Sequence, residues 1–137
     1  MGKPTRATRS RTATMADDST APKPDPFVEL SVEAASGLSN AIRELNWIAD
    51  GGDPSAKPED EDLANVKRVE YDRERNRING RLLAFLRKEL SVQPPSDDDI
   101  EAAKSITARL AKMRDVNVRA TTVVKAATDL LDIYNRA

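Results

Sequence analysis

The 137 residues contain no histidine and no cysteine, glycine occurs five times, and aromatic side chains make up 4%. Without histidine there is no Ser-His or Cys-His pair, no imidazole metal ligand and no HExxH helix. Without cysteine there is no disulfide, thiolate zinc site or iron–sulfur cluster, and either redox environment is compatible with the chain. The few glycines, two of them adjacent at Gly51-Gly52, make neither a P-loop nor a GxGxxG turn. Long apolar runs are missing as well. The longest is Leu82-Leu83-Ala84-Phe85-Leu86, far short of the ~18 residues that span a bilayer. No apolar stretch follows the basic start, so the sequence predicts no secretory signal. Arg6 stands where a myristoylation motif opened by Met1-Gly2 needs Ser or Thr. These absences point to a soluble, cytoplasmic, non-catalytic protein with no cofactor, no metal and no membrane span.

What is present is charge, alanine and helical periodicity. Lys and Arg number 22 against 23 Asp and Glu, for a net charge of −1, but the signs are segregated. Residues 1–14 and 63–91 each carry +4, residues 15–62 carry −9, and the acids at 97–101 are followed by a basic C-terminal stretch. All 28 Leu, Ile, Val and Phe residues lie at or after Phe27. The Thr-, Ser-, Arg- and Pro-rich residues 1–26 therefore read as a disordered basic arm, because they have nothing to bury against the entropy of ordering. Met15-Ala16-Asp17-Asp18 also has the form of a start, which would make residues 1–14 an extension. Residues 27–137 read as one helical domain.

Three helices are expected in that domain. The first runs from Phe27 to Asp50, with Asp25-Pro26 as cap and first residue, apolar positions from Val28 to Ala49 at three- and four-residue spacing, and Gly51-Gly52 as the stop. The second opens on Glu59-Asp60-Glu61-Asp62, acids that a helix N-terminus favours, and continues through Leu90 with a weak point at Asn79-Gly80. The third starts at Ser96, paired with Asp99 in a capping-box-like arrangement, and holds a heptad from Ala103 to Tyr134. Both acidic runs read as caps, since neither has the spacing of a calcium loop. The expected fold is an all-α, three-helix antiparallel (up-down-up) bundle with long second and third helices. The first helix is too short to cover the third. Either the third breaks near 115–121, where Asn117 and the β-branched residues Thr121 to Val124 lower helix propensity, or a second chain covers it.

Two surfaces follow as functional candidates. The first is a protein-interaction seam on the third helix, through Leu110, Met113, Val124 and Leu131, with Asn117 at a core position able to set register. Trp47 joins it as an off-face aromatic that either packs under the following loop or anchors a partner. On this reading the chain is a non-catalytic interaction or assembly protein, presenting an apolar helix face to a protein partner or to itself as a homo-oligomer. The alternative is a nucleic-acid accessory protein using Lys3, Arg6, Arg9 and Arg11 of the arm with the row Arg73, Arg77, Arg81. Interleaved Glu70, Asp72 and Glu74 favour intrahelical ion pairs for that row instead. Four arm charges without aromatics would bind only weakly and with steep salt dependence.

Overall fold

The computed structural model describes residues 24–116 and 119–137, and among them every regular element is helical. Helix α1 spans Pro26–Ala49, α2 Pro58–Leu86, α3 Asp97–Ala111 and α4 Ala120–Tyr134, with a short 3-10 turn at Met113–Val116 between the last two. The expected arm lies outside the described residues up to position 23. The expected bundle of three helices is corrected to four: the third is two helices separated by a break at 112–119. Asn117 falls in that break and outside the described residues.

Each start has a local cause. Asp25 caps α1 by accepting from the Phe27 N–H at 2.8 Å, with Pro26 at the first position where a missing donor costs nothing. Asp60 accepts from the Lys57 N–H at 3.2 Å at the head of α2, and Ser96 Oγ accepts from the Asp99 N–H at 3.1 Å at the head of α3. The stop of α1 is the expected one. Gly51 takes φ 83°, and the Gly52 N–H reaches back to the Trp47 carbonyl at 2.8 Å.

Helix α2 runs unbroken through Asn79-Gly80 but ends at Leu86, four residues before the expected Leu90. Its terminus has the same geometry as that of α1. Lys88 sits at φ 63°, its N–H donates to Phe85 at 3.0 Å, and the Glu89 N–H donates to Ala84 at 2.8 Å. A lysine holds a conformation that glycine adopts without a Cβ clash. Lys88→Gly is therefore expected to stabilise the fold by about 0.5–1 kcal/mol in urea unfolding. An unchanged or lower midpoint would contradict this account of the stop.

Cross-helix contacts give the topology. Lys104 to Glu29 (2.6 Å), Asn40 to Thr107 (3.2 Å) and Arg43 to the Ala111 carbonyl (3.5 Å) set α3 parallel to α1. Arg75 to Ser39 (2.9 Å) and Arg68 to Asp50 (3.0 Å) set α2 antiparallel to α1. Tyr71 to the Val124 carbonyl (3.3 Å) and Arg77 to Asn135 (2.9 Å) set α4 parallel to α2. The order is up-down-up-down, with α1 packed on the other three helices and no substantial contact between α2 and α3. The central position of α1 explains its wide buried face, which includes Phe27, Leu30, Ser31, Ala34, Gly37 and Glu44 beside the expected Leu38, Ala41, Leu45 and Ile48.

Tyr71 is buried between α2 and α4, and that burial pushes its phenol above the ordinary 10.0. Its neutral form is therefore favoured in the folded state. The stability it contributes is complete below about pH 10 and is lost as pH rises through the folded value. The hydrogen bonds from Lys67 to Glu70 and from Lys104 to Glu29 hold both ammonium groups above 10.5, so their contributions fade in the same direction. Thermal melts should show stability falling above about pH 10, with Tyr71→Phe removing part of the slope. An equal slope in the variant would exclude Tyr71 as a source.

Candidate interaction surface

The seam expected on the third helix lies inside the bundle. Leu110 and Met113 are core residues, and Val124 and Leu131 are half-buried against that core. The break achieves this by turning α4 back so that its apolar face meets α1 and α3. Of the two coverings that the length of the third helix allowed, the described chain uses the intramolecular one.

Trp47 packs under the loop that follows α1. A Cβ on Gly52 would fall into its indole ring, and the Arg114 guanidinium lies over that ring, 4.7 Å from its centroid. The indole is half-buried rather than offered as a free aromatic.

The arginine row divides. Arg73 is exposed. Arg77 pairs with Glu74 at 2.7 Å and bonds Asn135 at 2.9 Å. Arg81 lies 5.4 Å from the Phe27 ring and 5.2 Å from the Tyr134 ring, and it donates to the Ala137 oxygen at 3.4 Å. Arg77 and Arg81 thus clamp the end of α4 onto α1 and α2. Lys3, Arg6, Arg9 and Arg11 lie outside the described residues.

Two buried carboxylates hold the arginines on either side of the break, a role not read from the sequence. Glu44 on α1, 3% exposed, accepts from Arg114 Nε at 3.2 Å. Asp60 on α2, 5% exposed, accepts from Arg119 through both oxygens at 3.2 Å. Asp60 was read as a helix cap, and it serves as one while also holding Arg119. The available signal was the pair of arginines bracketing a helix-poor stretch. Among the described residues no group of three or more acidic side chains is placed to hold a metal ion. No described helix is long and apolar enough to cross a membrane.

Between α3 and α4 runs a groove of about 670 Å³ with Met113 and Ala126 at its floor. The side chains of Arg109, Lys112, Thr121, Thr122 and Lys125 wall it, and its one carboxylate, Asp129, pairs with Lys125 at 3.4 Å.

The exposed apolar residues gather elsewhere. Five large ones are exposed among the described residues, and four of them are on α2: Val66 (63%), Val69 (49%), Leu83 (52%) and Leu86 (58%). Val66, Val69 and Leu86 are among the apolar residues along the second helix, but they do not join Tyr71 and Ile78 in the core. Helix α2 buries only Asp60, Ala64, Tyr71 and Ile78 completely, because α1 covers one side of it and α4 only part of another. Val69 borders a shallow cleft with Ile42, and Leu86 borders a hollow with Phe85, Leu90 and Val92. The densest apolar run of the sequence, 82–86, is thus left half-covered.

No family model, no curated protein and no solved structure matches the chain.

Proposed function

We propose that the chain is a non-catalytic interaction protein whose contact surface is the outward face of α2. The observation that carries this reading is the concentration of exposed valine and leucine on that one helix. Scattered single apolar residues are ordinary on a protein surface, whereas a concentration on one uncovered helix forms an association site, and at 100° per residue Val69 and Leu83 lie within about 40° of each other on it. The reading keeps the helix-face interaction expected from the sequence and moves it from the third helix, whose apolar residues serve the core, to the second. The absence of His and Cys from the chain favours binding over nucleophilic chemistry without excluding carboxylate or lysine chemistry.

The test is site-specific photo-crosslinking of the full chain in cells. A benzophenone side chain is placed at Val69 or Leu83, and at Val32 as an isolated exposed apolar position on α1. The expected result is discrete protein adducts from Val69 and Leu83 and none from Val32. Adducts from all three alike, or from none, would overturn the assignment of the surface.

A further inference from the structure

We infer that the occupant of the outward face of α2 is the same face of a second copy of this chain, packed antiparallel about a two-fold axis at Asn76. The inference rests on the reading of α2 as the contact surface and adds its partner and geometry. Asn76 is exposed near the middle of α2. Val69 and Leu83 stand seven residues to either side of it, Val66 and Leu86 ten. At 1.5 Å per residue these are about 10 and 15 Å from Asn76. At 100° per residue the inner pair lies about 20° to either side of the Asn76 direction, and the outer pair about 80°.

A two-fold axis through Asn76 therefore sets Val69 opposite the second copy's Leu83, with Val66 and Leu86 flanking the contact on its two sides. The two central apolar residues of each copy meet their counterparts, and both copies use the same patch, as an isologous contact requires. Gly80 lies beside this line with open space where a Cβ would be, so the two backbones can approach closely.

Charge favours the same orientation. Helix α2 opens on Glu59, Asp60, Glu61 and Asp62, while Arg87 and Lys88 follow its last residue. Antiparallel pairing brings the acidic end of each copy beside the basic end of the other, and parallel pairing would stack like charges at both ends. The paired Asn76 amides on the axis can bond each other and fix register, as a single polar residue does within an apolar helix seam.

The absence of native cysteine makes the axis directly testable on the full chain. Sedimentation of the purified protein should show a 15.1 kDa monomer in equilibrium with a dimer of twice that mass. Leu83→Asp should weaken the dimer at least tenfold with an unchanged circular dichroism spectrum. Reversing Glu61 and Asp62 to lysine should also weaken it, and combining that change with Arg87→Glu and Lys88→Glu should restore it. On mild oxidation Asn76→Cys should form a disulfide-linked dimer, whereas Lys125→Cys on α4 should stay monomeric. A chain that remains monomeric at every concentration overturns the inference. So does cross-linking of Lys125→Cys as fast as Asn76→Cys, or self-linking of Val69→Cys ahead of Asn76→Cys, which would mean parallel pairing. Failure of the dimer together with cellular adducts from Val69 to a different protein leaves α2 as the surface and replaces its partner. No adducts from α2 removes the surface itself.

Discussion

Replacing Gly37 with alanine is expected to lower the stability of the fold by about 1–3 kcal/mol, although alanine is the better helix former, and the same change at Gly80 should raise it by about 1 kcal/mol. Both glycines lie inside helices, where Gly costs about 1 kcal/mol relative to Ala through backbone entropy. At Gly80 nothing within the chain approaches the space a Cβ would fill, so below the concentration at which copies pair only that intrinsic gain remains. At Gly37 the added methyl would run into Leu130 of α4 and Thr107 of α3. Neither neighbour is free to move away. Leu130 is fully buried, and the Thr107 hydroxyl is held by the Glu33 carbonyl at 3.1 Å. The overpacking term therefore exceeds the propensity gain. Urea unfolding of both variants, read at the same denaturant slope, should move the two midpoints in opposite directions. A stabilised Gly37→Ala would mean that α1, α3 and α4 do not meet at this residue.

Gly37 also illustrates which parts of the fold could be read in advance. The helix starts at Asp25-Pro26 and Ser96 and the stop at Gly51 were legible because cap chemistry is local: the residue and its partner lie within three positions of each other. The end of α2 was not, because a lysine at Lys88 carries no sign that its backbone will turn left-handed. The centre of the α1 face was read about a sixth of a turn away from its true position. Gly37, Ser31 and Glu44 interrupt the apolar pattern exactly where α1 meets several helices at once, and each is inside for a reason that lies elsewhere in the chain. Glu44 waits for Arg114, seventy residues away. The surface on α2 failed in the opposite sense. Val66, Val69 and Leu86 are apolar at helical spacing, and pattern alone does not say whether a neighbouring helix reaches them. That depends on how far α4 extends over α2, and so on where the third helix breaks.

The break itself is the site of the second large effect. Arg114→Ala is expected to cost about 2–3 kcal/mol and Arg119→Ala about 2 kcal/mol, far more than surface arginines usually contribute. The reason lies in their partners. The Glu44 and Asp60 side chains are 4% and 6% exposed, whereas the arginines themselves are 42% and 57% exposed. Removing either arginine therefore leaves a desolvated carboxylate short of its main donor. Among the described residues Glu44 would keep only Arg43 Nε at 3.5 Å, and Asp60 only the Lys57 N–H at 3.2 Å. Solvent around the guanidinium groups moderates the loss below that of a fully buried pair. Two further readouts separate this account from a general loosening. Arg114 covers the single tryptophan, so Arg114→Ala should shift Trp47 fluorescence to the red while Arg119→Ala leaves it unchanged. The double variant Glu44→Met, Arg114→Met should be more stable than Arg114→Ala alone, because it removes the stranded charge along with its partner. If Arg114→Ala and Arg119→Ala each change stability by less than about 0.5 kcal/mol, the ion pairs do not hold the connector, and the restart of α4 must come from the packing of Ala120, Val123 and Ala127 alone. Should the losses appear as expected, two arginines on either side of a weak helical stretch turn one long helix into the last two of a four-helix bundle, and in doing so leave the outward face of α2 uncovered.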